Sequence, residues 1–123
     1  MSIRPIALKW FKEQYGETPE HISSTKFYTP DISWPRTNVW WPKFPVTIFE
    51  DFPNGHVHIL CQKEPNGNSF HYLKVPVSFL KEHRDNFHTL NGKHIDLSLS
   101  AEERTLFREG RGKVSLDFSQ FLL

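Results

Sequence analysis

His56-Val57-His58-Ile59-Leu60-Cys61-Gln62-Lys63-Glu64-Pro65-Asn66-Gly67-Asn68-Ser69-Phe70-His71-Tyr72-Leu73-Lys74-Val75 is the stretch that decides the fold. Val57, Ile59 and Cys61 alternate with His56, His58 and Leu60. After a turn, His71, Leu73 and Val75 alternate with Phe70, Tyr72 and Lys74. A period of two marks strands, and two such runs around a turn signal mark a hairpin. Pro65 suits the second position of a type I turn, and Gly67 suits the left-handed bulge position of a three-residue loop. That loop pairs Cys61 with His71, Ile59 with Leu73 and Val57 with Val75. It puts Gln62–Phe70, Leu60–Tyr72 and His58–Lys74 on the other face. A two-residue Asn66-Gly67 loop would set Ile59 against Lys74 and Val57 against Pro76, so the apolar match selects the first register.

Working outward, Pro76 closes the second strand and opens a short helix over 77–84, with Val77 and Leu80 facing inward. Leu73-Lys74-Val75-Pro76-Val77-Ser78-Phe79-Leu80-Lys81-Glu82-His83 resembles the Leu-x-Ile-Pro-x-x-Phe strand-to-helix step of B3-type DNA-binding pseudobarrels, found in plant regulators and some restriction endonucleases. The resemblance covers 11 of the 123 residues, and the later Gly-Trp step of that family is absent from the chain. What it implies is DNA as a ligand. Asn91-Gly92 is a further tight-turn signal. Ile95, Leu97 and Leu99 alternate with His94, Asp96 and Ser98, which predicts a strand over 93–99 with one wet face. Ser100-Ala101-Glu102-Glu103 has the form of a capping box, predicting a helix over 101–108 that stops by Gly110. Val114, Leu116 and Phe118 read as a last strand or extended tail, and Phe121-Leu122-Leu123 as an apolar end that docks on the core or continues.

On the N-terminal side, residues 5–15 predict a helix: Pro5 suits its first turn, and Ile6, Leu8, Trp10, Phe11 and Tyr15 recur at three- and four-residue spacings. Prolines at 19, 30, 35, 42, 45 and 53 forbid a long helix over 17–54. Short extended segments are expected near 25–29, 38–41 and 45–50, with Pro42 and Pro45 demoting the middle one to an edge or a bulge. Phe27, Tyr28, Trp34, Trp40, Trp41, Phe44, Phe49 and Phe52 make this an aromatic-rich packed region rather than a linker. The fold class is therefore α+β: an N-terminal helix, a mainly antiparallel sheet or partial barrel of about five strands, and two short late helices, in one domain.

Composition bounds the function. A chain of 123 residues with 15 basic and 14 acidic side chains carries a formal charge of +1, so no global field favours a polyanion or an anionic membrane. No run approaches the roughly 18 apolar residues of a membrane span, and Met1–Pro5 contains no signal-peptide core. One cysteine, Cys61, allows no internal disulfide and fits a reducing compartment, so a cytoplasmic location is expected. A phosphate-cradling Gly-rich loop, a Gly-x-Ser-x-Gly elbow and a Cys-x-x-Cys zinc site are all missing from the sequence. A magnesium nuclease built on Asp51 fails because a thiol, Cys61, stands where an oxygen ligand is required. No cofactor and no metal are expected.

Four groups carry candidate chemistry. Cys61 and His71 oppose each other and could form a thiolate–imidazolium pair, although the Cys61 face is apolar and reads as core. His56 and His58 share a face two residues apart and could serve a small hydrolase, with Glu50 or Asp51 as a third metal ligand; Lys74 opposite His58 would repel a cation. Trp40 and Trp41 point to opposite faces of a strand, so one can enter the core while the other, near Arg36 and Lys43, offers a stacking platform for a single strand or a sugar. Arg104, Arg108, Arg111 and Lys113 cluster locally, and the Arg111-Gly112-Lys113 turn could add backbone donors for a phosphate. The leading expectation is a non-catalytic binding module with nucleic acid favoured as ligand, using Trp41, Arg36, Lys43, Arg108, Arg111 and Lys113. The alternatives are the His56/His58 hydrolase and a protein-interaction domain that docks another protein on an aromatic patch. No membrane partner is expected.

Overall fold

The computed structural model describes residues 3–33 and 36–123. Trp34 and Pro35 of the aromatic run, and Met1 and Ser2 of the N-terminus, lie outside the described residues. The fold is α+β. Helix α1 (Arg4–Tyr15) is followed by strands β1 (Ile22–Thr25), β2 (Val39–Trp40) and β3 (Lys43–Pro45), then by a single helical turn α2 (Ile48–Asp51). The central hairpin is β4 (His56–Gln62) and β5 (Phe70–Pro76), and α3 (Val77–Glu82) continues directly from it. Three short strands complete the set: β6 (Thr89–Leu90), β7 (His94–Asp96) and β8 (Leu99–Ser100). Among the described residues the strands form three sheets, ordered β1-β4-β5, β2-β8 and β3-β7-β6, and no closed barrel.

The hairpin has the register that its apolar rows require: Val57 pairs with Val75, Ile59 with Leu73 and Cys61 with His71, and Gln62 faces Phe70. The turn chemistry differs in one respect. Asn66, not Gly67, takes the left-handed conformation (φ 62°). Gly67 is required instead by a close approach, since a Cβ there would lie 2.7 Å from Glu64 Cγ and 3.1 Å from the Glu64 carbonyl oxygen. β1 adds to β4 in parallel.

The hairpin sheet divides two cores. Val57, Ile59, Cys61, Leu73 and Val75 face the larger one, with Trp40, Phe44, Ile48, Phe49, Leu80, Ile95, Leu97, Leu99, Phe107 and Phe118. Leu60, Phe70, Tyr72 and Ile22 face the smaller one, which Ala7 and Phe11 of α1 cover. The helix therefore docks on an Ala7–Phe11 axis, where a small residue permits close approach, and leaves Ile6 and Tyr15 exposed.

The segment 39–45 runs antiparallel to 94–100. Val39 pairs with Ser100 and Trp40 with Leu99; Lys43 pairs with Asp96, Phe44 with Ile95 and Pro45 with His94. Both blocks share one register, so Pro42 interrupts the ladder without shifting it. It has no N–H to give, while its carbonyl still accepts from Leu97 N at 3.0 Å. The ladder stops at Pro45, and 48–51 is helical rather than extended, placing Ile48 and Phe49 in the core. Asn91 and Gly92 are both left-handed (φ 54° and 68°), the signature of a type I′ turn joining β6 to β7.

Three expectations fail after residue 95. The face of Asp96 and Ser98 is not wet: both are buried, because the segment 109–112 folds over them. The helix over 101–108 does not form. Ser100 is a strand residue whose Oγ accepts from Glu102 N (3.1 Å) and meets Thr105 Oγ1 (2.6 Å), leaving a 3-10 turn at Glu103–Thr105. The Phe107 side chain is fully buried, stacked on Trp40 at 5.0 Å with 13° between the planes, and its backbone is left-handed (φ 63°). Core placement of one aromatic ring outweighs local helix capping here. The tail is also not a strand. Phe118–Phe121 is a 3-10 turn capped by Asp117, and Leu122 docks on β5 through a bridge to Leu73.

Candidate functional site

Alternation along the 39–45/94–100 ribbon sends Trp40, Phe44, Ile95, Leu97 and Leu99 into the core. It leaves Trp41, Lys43, Asp96 and Ser98 on the opposite face. That face carries a cleft of about 450 Å³ whose lining includes Ser24, Thr25, Lys26, Tyr28, Trp41, Lys43, Asp96 and Arg111. Its wall is stitched by hydroxyls rather than by a ladder. Thr25 Oγ1 accepts from Trp41 N at 2.9 Å, and Ser23 Oγ accepts from Lys43 N (3.2 Å) and donates to Lys43 O (2.8 Å).

Two adjacent aromatic pairs are brought into line. Phe27 and Trp40 meet edge-on inside, with centroids 5.8 Å apart. Tyr28 and Trp41 meet outside, with centroids 4.4 Å apart and 34° between the planes. Tyr28 is held by a reciprocal bridge to Val39: N to O at 2.9 Å and O to N at 3.0 Å. Trp40 is 1% exposed and donates its Nε1–H to Gln62 O at 2.7 Å. Trp41 is half-buried, and its Nε1 is shielded from solvent without a hydrogen-bond partner.

Arg111 closes the cleft. Its guanidinium carbon lies 5.7 Å from the centre of the Trp41 ring, and it pairs with the Asp96 carboxylate. The side chains of Arg111 and Asp96 are 32% and 10% exposed, so desolvation of the carboxylate offsets much of the pair's attraction and its main effect is to fix geometry. Lys26, Lys43 and Arg111 against Asp96 leave the cleft cationic beside the packed Tyr28–Trp41 pair.

The loop that presents Arg111 is built on Glu109, which is 1% exposed. Its Oε2 accepts from Ser98 N (2.9 Å) and Arg111 N (3.0 Å), and its Oε1 accepts from Gly112 N (2.6 Å). The Arg111 and Gly112 N–H groups, expected as donors for a phosphate, are thus spent on the protein's own carboxylate. Gly112 is required because a Cβ would lie 2.6 Å from the Asn86 carbonyl oxygen and 2.8 Å from Glu109 Oε1. Asn86 secures the next residues, accepting from Lys113 N at 3.1 Å and bonding both polar groups of Val114.

Of the six residues expected at the site, the cleft gathers Trp41, Lys43 and Arg111. The other three do not line it. Arg36 is exposed in a left-handed turn (φ 72°), its N–H bonded to Ser33 O at 3.2 Å. Arg108 bonds Ser115 and lines a separate hollow of about 290 Å³. Lys113 sits beside Asn86, and Arg104 is exposed on the 3-10 turn. Tyr28, Lys26 and Glu109 were missed. The available signal was Lys26-x-Tyr28, which mirrors Trp41-x-Lys43, each with an apolar ring or a proline at the intervening position.

The histidines stand on the α1 side of the sheet. His58 Nδ1 is 2.6 Å from Tyr72 Oη, and the His56 and His58 rings are 6.4 Å apart. Burial, then the Lys74 charge, pushes the His58 pKa down to about 4. Among the described residues no group of three His, Cys, Asp or Glu side chains is placed to hold a metal. Cys61 is fully buried, and burial pushes its thiol well above the ordinary range. The thiol is protonated, as a core residue and not as a nucleophile. No helix among the described residues is long and apolar enough to cross a membrane. Comparison with known protein families, curated proteins and solved structures finds no match to this chain.

Proposed function

We propose that this protein is a non-catalytic binding module for single-stranded nucleic acid, and that the Tyr28–Trp41 cleft is its binding site. The observation that carries the reading is the meeting of the closely packed Tyr28–Trp41 ring pair with Lys26, Lys43 and Arg111 around one open cleft. Bases stack on aromatic faces at about 1–3 kcal/mol each, and phosphates need cations beside them. A net charge of +1 fits a local site of this kind, since attraction comes from three placed cations and not from a global field. Within this reading the role of Asp96 is to hold Arg111 over Trp41. A cytoplasmic location belongs to the same reading, on the strength of the single cysteine.

The test is a titration with oligothymidylate, followed by tryptophan fluorescence at several salt concentrations. Three phosphate contacts on a single strand predict a slope near −2 for log affinity against log salt, at about 0.7 per contact. Fluorescence quenching is expected because Trp41 is in the site. Absence of binding at low salt, or binding indifferent to salt, would sink the proposal.

A further inference from the structure

The cleft does not end at Tyr28. A second hollow of about 530 Å³ adjoins it, and Ile3, Lys26 and Tyr28 line both. Beyond that shared wall, the second compartment lies between the 27–32 segment and the hairpin turn, with Ile6, Ile32, Pro65, Asn66 and Asn68 on its surface. The turn side is held firmly. Lys63 N donates to Ser69 O at 3.0 Å, Gly67 N to Glu64 O at 3.0 Å and Gln62 Nε2 to Gly67 O at 3.0 Å. Ile32 is 68% exposed, an apolar side chain standing free at the groove's edge.

We infer that the groove takes a polynucleotide strand running through both compartments, and that its ligand is not a single nucleotide. This rests on the nucleic-acid reading of the first compartment. The adjacency of the two hollows, which share Ile3, Lys26 and Tyr28 in their linings, carries the inference. Each compartment by itself has the size of a small-ligand site. A strand leaving the Trp41 compartment meets Lys26 at the junction, where a phosphate linking two nucleosides would lie. The next base then meets apolar Ile6 and Ile32 on one side. On the other it meets the exposed Asn66 and Asn68, whose amides offer both donors and acceptors to a base edge. A mononucleotide fills only the first compartment and leaves this surface unused.

The experiment compares thymidine 5′-monophosphate with oligothymidylates of two, four and eight residues, on the intact protein and on Ile32→Glu. Affinity is expected to rise by about tenfold or more from the mononucleotide to the dinucleotide, the gain for packing one further base against Ile6 and Ile32 and bonding its edge to the asparagine amides. That gain should shrink in Ile32→Glu, where a carboxylate faces the strand. Because Ile32 is exposed, the melting temperature of the variant reports directly that it folds. A monophosphate that binds as tightly as the octamer, or a length gain that Ile32→Glu leaves intact, overturns the extended groove while the single-compartment site survives. If even the octamer fails to bind, the nucleic-acid reading itself fails and this inference falls with it.

Discussion

Trp40 and Trp41 differ only in which side of one strand they occupy, and that parity separates structure from function. Trp40 is sealed between Phe27 and Phe107, with its indole N–H satisfied by a buried carbonyl. Its truncation to Ala should cost about 3–5 kcal/mol of unfolding free energy. Trp41→Ala should cost less, because the ring is half-buried, and should instead weaken single-strand binding by about 1–3 kcal/mol. Urea denaturation and an oligonucleotide titration on both variants give the four numbers. A Trp41→Ala protein as destabilised as Trp40→Ala, with binding unchanged, would return Trp41 to the core. Alternation in the sequence requires the two rings to point apart. It does not say which is inside, because Pro42 blurs the strand at that point.

At the scale of elements, the hairpin was legible because its information is local: two alternating rows and one turn define the register. The ribbon 39–45/94–100 was legible only in part, because its register depends on pairing segments about fifty residues apart. The Ser100 capping box misled for a physical reason. Its hydroxyl serves a local turn instead, and the Phe107 ring claims a place against Trp40 that a helix over 101–108 would not give it. Most consequential is the 109–112 loop, where a buried glutamate organises the site without touching the cleft. Glu109→Gln replaces one acceptor oxygen by an amide donor facing backbone N–H groups, and should cost about 1.5–3 kcal/mol, the range for hydrogen bonds to a charged group. It should also weaken oligonucleotide binding, since Arg111 depends on that loop. Denaturation and binding measured on the same variant check both. A stable variant with intact binding would show that the loop is held by other means.

Across the whole molecule, the sheet between two cores places its histidines under partial burial, and this couples stability to pH. His58 is held down to about 4 by burial and by Lys74, and burial together with Lys63 lowers His71. A group with a depressed folded pKa binds more protons when unfolded, so protonation favours unfolding. Stability should therefore be full above about pH 7, the unfolded range of histidine, and should fall as pH drops towards 4. Asp117, lowered by its hydrogen bonds to Ser119, adds a loss only at more acid pH, below the ordinary carboxylate range. Urea midpoints between pH 4 and 8 test this, and His58→Gln should flatten the slope. A midpoint independent of pH in the parent protein would contradict the placement of His58.

The α+β class and the central hairpin could be read from the residues alone, and three of the six residues expected at the site, Trp41, Lys43 and Arg111, line one cleft. The cleft itself could not be read, because it is assembled from residues far apart in the chain: Ile3, 24–28, 41–43, Leu90, Asp96 and Arg111. Charge reversal at Lys43, inside the cleft, and at Arg108, outside it, tests that assembly most directly. Both side chains are exposed and cationic, so a diffuse attraction would feel the two changes equally. Binding of a labelled oligothymidylate should fall at least tenfold in Lys43→Glu and by less than threefold in Arg108→Glu. Equal losses in the two variants, or a greater loss in Arg108→Glu, would contradict a single-strand site centred on Tyr28 and Trp41.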